Sequence, residues 1–183
     1  MRRPLMPMLA MLVLCAWPST GRAQSGAFDE GSWALSAYGS YAEGFRLRDD
    51  QLGTATVSVG YYFADRWSIN AEGVYFKFDE PTETDAVGGN VIFRWHFLAR
   101  DRYSVYLDFG GGMLDAKDEI PAGGTEINFD ARAGLGATIR LLDDLHLMGG
   151  VHYFHLSNGN IHGLDENPSI DAIEGYVGLM LTF

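Results

Sequence analysis

His155 and Ser157 stand two positions apart in the segment GVHYFHLSN, residues 150–158. Its alternation reads as a strand, with Val151, Tyr153, His155 and Ser157 on one face and His152, Phe154 and Leu156 on the other. Residues i and i+2 of a strand share a face and sit about 7 Å apart along it, near enough for their side chains to lean together. A serine beside a histidine is a combination suited to nucleophilic and acid–base chemistry. A polar pair on an otherwise apolar face is costly unless its members satisfy each other or act on something lying against that face. What lies there depends on the elements that carry the segment.

Period-two alternation between turn signals occurs eight times, over residues 33–41, 55–63, 67–75, 87–97, 103–113, 127–141, 145–157 and 173–183. In each run one set of positions is apolar through its middle, and the other carries small, polar or charged residues. Several apolar sets are bracketed by aromatics, such as Trp33 and Tyr41, Trp67 and Tyr75, and Trp95 and Phe97, as in the interface girdles of membrane barrels. The opposite sets hold charges of both signs deep in the strands, which suits a narrow lumen of paired side chains. The terminal Phe183 resembles the assembly signal of bacterial outer-membrane barrels. The pattern predicts an all-β chain folded as an eight-stranded antiparallel transmembrane outer-membrane β-barrel.

The connections orient it. Those after runs two, four and six are short (Ala64-Asp65, Leu98 to Asp101, Asp143-Asp144), and the others are longer and rich in Gly, Pro and acids. Short turns belong on the periplasmic side and longer loops outside, and an even strand count places both termini in the periplasm. Eight strands enclose an interior that side chains can fill, so no pore is expected. Run seven then points outward and ends near the outer leaflet. By parity His155 and Ser157 face lipid, whereas His96, His146 and His152 face the lumen. On residues alone two readings stand: a polar pair resting at headgroup level, or a pair that acts there.

The N-terminus has the features of a secretory signal peptide: Arg2 and Arg3, an apolar run from Leu5 to Trp17, and the small-x-small sequence Gly21-Arg22-Ala23. Residues 1–23 are assigned to it and 24–183 to the barrel. The signal contains the lone Cys15, preceded by the bulky Leu14, which disfavours lipid attachment. The remaining chain has no cysteine, so disulfides and thiolate metal sites are excluded. It keeps ten of the 13 basic residues and all 24 acidic ones, a formal charge of −14 that excludes a nucleic-acid surface. No metal-ligand spacing occurs, and no cofactor is expected.

His155-Leu156-Ser157-Asn158, followed by a short loop with Asn167-Pro168, an acid at Asp171 and a closing aromatic-ended strand, resembles the lipid A 3-O-deacylase (PagL) family of outer-membrane enzymes. The resemblance implies a Ser–His–acid esterase on the barrel exterior, acting on lipopolysaccharide in the outer leaflet and removing an acyl chain, the 3-O-linked hydroxyacyl chain, from lipid A. It makes Ser157 the nucleophile, His155 its base, Asp171 the acid and Asn158 an oxyanion donor. The acid is Asp where the family usually has Glu, and Asn160 stands where a small residue is expected. Asp165, Glu166 and Glu174 are rival acids, though Glu174 has lumen parity. Two other classes fit parts of the pattern. A structural or adhesive barrel would use the acidic loops around Asp49-Asp50 and residues 115–119. A lipocalin-like binder is disfavoured by the charged interior positions. A homodimer is compatible with either barrel.

Overall fold

Strands whose outward positions are apolar and inward positions polar enclose the polar set and pair every backbone edge by closing on themselves. In the structure, a computed structural model describing residues 26–45, 51–80, 83–121, 123–161 and 167–183, they do so. Eight strands follow in order: β1 Trp33–Gly44, β2 Gln51–Ala64, β3 Trp67–Glu80, β4 Thr84–Ala99, β5 Tyr103–Ile120, β6 Thr125–Arg140, β7 Leu145–Ser157 and β8 Ile170–Thr182. Each pairs antiparallel with the next, and β8 pairs with β1 to close the barrel. The expected signal peptide with Cys15, and also Asp49, Asp50, His162, Asp165 and Glu166, lie outside the described residues.

The alternation locates the strands, but several run further at their loop ends. Residues 115–119, expected as loop, belong to β5, with Leu114, Ala116 and Ile120 pointing inward. The outward positions there are Asp115 and Lys117, so the apolar signal stops while the pleat continues. The cause is solvent: a hairpin that rises past the bilayer keeps its inner packing and exchanges lipid for water outside.

The wall is a transmembrane surface. Outward side chains such as Val57, Val91, Leu135 and Val177 are exposed and apolar. Trp33 packs on Tyr61, with ring centroids 5.0 Å apart, and Trp67 stacks on Trp95 at 5.2 Å, forming the aromatic belt at the short-turn end.

The lumen is filled in three layers. At the loop end Phe76, Phe78, Leu114, Phe154, Leu156 and Ile170 form an apolar plug. In the middle Arg94 binds Asp108 through two hydrogen bonds of 2.8 Å, Arg132 meets Asp130 at 3.1 Å, and His152 sits 3.2 Å from Glu174 and 3.4 Å from Asp108. At the short-turn end Tyr62, Tyr106, Met148 and Tyr176 pack with Phe28, which stacks on His96 at 4.0 Å. His96, His146 and His152 are thus interior groups, as parity expects. Arg94→Met would strand the Asp108 carboxylate inside the barrel, so it is expected to cost about 3–5 kcal/mol. Urea unfolding of the barrel in lipid vesicles checks this, and a cost under about 1 kcal/mol would contradict the pairing role.

Candidate active site

The outward side chains at the loop end of β7 and β8 sit on a rigid base. Their inward neighbours Phe154, Leu156, Ile170 and Ala172 belong to the apolar plug and are buried. One strand residue therefore packs the core while the next is held at the wall.

His155 and Asp171 are register partners across β7 and β8. Residues directly opposite bring their Cβ atoms to about 5 Å, so a carboxylate as short as Asp spans the gap. His155 Nδ1 lies 2.9 Å from Asp171 Oδ1. A carboxylate oxygen only accepts, so Nδ1 carries the proton, and in the neutral ring the lone pair is then on Nε2. The side chain of His155 is 35% exposed and that of Asp171 is 2% exposed.

That burial is not what strand alternation alone gives for Asp171. Its parity is outward, but β1 extends past Tyr41 and brings Phe45 alongside. The Phe45 N–H donates to the Asp171 carbonyl at 3.1 Å, and the Phe45 ring lies 6.2 Å from that of Tyr153. Tyr153 Oη donates a hydrogen bond to Asp171 Oδ1. Asp171 thus accepts from the tyrosine and the histidine at one oxygen, and its side chain is buried. Tyr153 is a neighbour of the candidate acid that strand alternation alone did not mark as its hydrogen-bond partner. Its position two residues before His155, on the same face, was the available signal.

Ser157 ends β7 on the same outward face as His155, opposite Phe129, and is half-buried. Among the described residues no hydrogen bond joins Ser157 Oγ to His155. The chain then turns sharply through Gly159 and Asn160, whose φ angles are 64° and 62°. Left-handed backbone favours Gly and Asn, which accounts for an asparagine at a position expected to be small. Three asparagines close this turn. The Asn158 N–H donates to Asn167 Oδ1 at 3.0 Å, Asn167 Nδ2 donates to Asn160 Oδ1 at 2.6 Å, and the Asn160 N–H donates to Asn158 Oδ1 at 3.0 Å. The Asn158 side chain keeps inward parity and is buried, while its N–H follows Ser157 directly. Asn167 had no pairing signal in the sequence, because its partners lie across a loop.

The rival acid Glu174 belongs to the lumen. It is 0% exposed, accepts from Ser40 Oγ at 2.6 Å, and faces His152 and Arg132. Among the described residues no group of three His, Cys, Asp or Glu side chains is arranged to hold a metal ion.

The barrel is similar to several solved structures. Neisserial surface protein A matches with a TM-score of 0.65 at 14% identity, covering 84% of this chain and 100% of that one. The outer membrane protein OprG from Pseudomonas aeruginosa matches at 0.56 and 12% identity, covering 87% and 99%. The N-terminal β-barrel domain of OprF from Pseudomonas aeruginosa matches at 0.54 and 13% identity, covering 84% and 98%. At these identities the structural likeness shows a shared fold and no more. A search of curated proteins found no match. The family model described as "Lipid A 3-O-deacylase (PagL)" matches residues 44–180, which include β2 to β7, most of β8 and the whole candidate site.

Proposed function

The chain belongs to the lipid A 3-O-deacylase (PagL) family and is a barrel of the bacterial outer membrane, and from that premise we propose that it removes the 3-O-linked hydroxyacyl chain of lipid A by a Ser–His–Asp mechanism. Residues 1–23 serve as its export signal. The observation that carries the mechanism is the Nδ1–H of His155 bound to a buried Asp171 on the wall of a filled barrel.

The chemistry follows from that hydrogen bond. Asp171 fixes the imidazole tautomer, so Nε2 faces outward as the base and can take the proton from Ser157 Oγ. The Ser157 oxygen attacks the ester carbonyl, and the imidazolium, stabilised by Asp171, returns its proton to the departing sugar oxygen. The acyl group passes to Ser157, and a water activated by the same histidine releases it as a hydroxy fatty acid. The oxyanion needs a donor beside the nucleophile. The Asn158 N–H is in that place, and its present acceptor is a side-chain oxygen of Asn167, which a developing oxyanion can replace. Because the lumen is filled, substrate comes sideways. The ester of lipid A lies where sugar meets acyl chains, the depth at which β7 ends.

Mass spectrometry of lipid A incubated with the purified barrel tests the proposal. The expected product has lost one hydroxyacyl mass, with the remaining esters placing the loss at the 3-position. Lipid A left unchanged by a folded barrel would refute the hydrolytic reading, and loss from another position would refute the regiochemistry. Tyr153→Phe removes one of the donors to Asp171 and keeps the ring over it. Turnover is expected to fall about 10- to 100-fold with KM little changed, since a hydrogen bond to a charged group contributes about 1.5–3 kcal/mol. A rise in KM alone would instead make Tyr153 a substrate contact.

A further inference from the structure

Eight Lys and Arg side chains lie among the described residues, and they divide into two sets. Lys77 is 3.7 Å from Asp79, Lys117 pairs with Asp85, Arg94 is 2.8 Å from Asp108, and Arg132 is 3.1 Å from Asp130. The other four, Arg66, Arg100, Arg102 and Arg140, make no ion pair among the described residues. In a sequence with 24 acids, that is not for want of carboxylates. All four line one cavity of about 240 Å³ at the short-turn end of the barrel.

The fold gathers them there. Arg66 sits in the β2–β3 turn with φ 68°, and its N–H donates to Phe28 at 2.7 Å. Arg100 and Arg102 lie in the β4–β5 turn, and Arg140 ends β6, its N–H donating to the Arg102 carbonyl at 2.8 Å. Phe28 and His146 also line the cavity, and His146 Nε2 is buried with no hydrogen-bond partner among the described residues. Asp29 and Asp101 are on the lining too, and neither is in an ion pair with the arginines among the described residues. Four guanidiniums against two carboxylates leave the lining with a formal charge of +2, which favours the entry of an anion.

The surroundings identify the anion. Guanidinium forks match phosphate oxygens. Trp67 follows Arg66, Tyr103 follows Arg102, and exposed Leu141 and Leu142 follow Arg140, so the arginines stand at headgroup level above an apolar wall. We infer that this cavity binds the headgroup phosphate of an anionic phospholipid from the periplasmic leaflet, with the acyl chains lying on the barrel exterior. The site is independent of ester hydrolysis and lies at the opposite end of the barrel from His155.

The test is native mass spectrometry of the full barrel released from phosphatidylcholine nanodiscs containing a minor fraction of phosphatidylglycerol. Phosphatidylglycerol is expected to be retained in preference to phosphatidylcholine. The variant carrying Arg66→Gln, Arg100→Gln and Arg140→Gln is expected to lose that retention by roughly tenfold or more, and Arg140→Gln alone by about fivefold, which serves if the triple variant does not fold. Lys77→Gln with Lys117→Gln, at the other rim, is expected to leave retention unchanged. Equal retention by the arginine variants, or an equal loss in the lysine variant, would overturn the proposal. So would displacement of the lipid by millimolar inorganic phosphate, which would assign the cavity to a soluble anion, or by hexaglutamate, which would assign it to an acidic peptide.

Discussion

Ser157→Ala is expected to lower lipid A deacylation by on the order of 10⁴- to 10⁶-fold while leaving the barrel folded. The loss is large because the substitution removes the atom that would bond to the acyl carbon, so His155 and Asp171 have no hydroxyl to activate. Members of such a unit fail together: removing one leaves only the background that binding and oxyanion stabilisation provide. The fold is expected to survive because Ser157 is the last residue of β7 and stays outside the apolar plug. Heat-modifiable mobility in gel electrophoresis checks folding, and release of hydroxy fatty acid checks activity. A folded variant that keeps more than about a tenth of wild-type activity would remove Ser157 from the chemistry.

Asp171→Asn is expected to cost about 10⁴-fold, again without unfolding. The amide can present its NH₂ to the imidazole and so select the wrong tautomer, and being neutral it does not stabilise an imidazolium. Glu174→Gln supplies the contrast. That side chain takes hydrogen bonds from Ser40 and His152 and lies 3.6 Å from Arg132 inside the barrel. Its replacement is expected to destabilise the barrel and to leave turnover of the folded fraction within a few-fold of wild type. Urea unfolding and specific activity, measured on both variants, separate the two effects. The opposite pattern, with Glu174→Gln inactive and Asp171→Asn active, would transfer the acid role to the lumen.

Much of this was legible before the fold was known, for a physical reason. A barrel wall separates lipid from a packed interior at every residue, so each strand must alternate, and parity can be counted along the chain. Counting from Leu145 put His155 on the wall and His152 in the lumen, and the structure has both there. The count weakened where the bilayer ended. Asp115 and Lys117 point outward into water, so the strand carrying them looked like a loop.

The sequence by itself determined the strand number, the face of each residue within the alternating runs, the end of the barrel at which the Ser–His pair sits, and the family resemblance, because these follow from local periodicity and short motifs. Only the tertiary structure decided what crosses between strands. It set His155 opposite Asp171, so that a short carboxylate reaches the ring. It brought Phe45 beside Asp171 and the Tyr153 hydroxyl onto that carboxylate, and tied Asn158 to Asn167 across the loop. It also collected at one rim four arginines from separate segments that make no ion pair among the described residues. Register and loop closure are contacts between distant residues, and their energies depend on distances that period-two patterning does not encode.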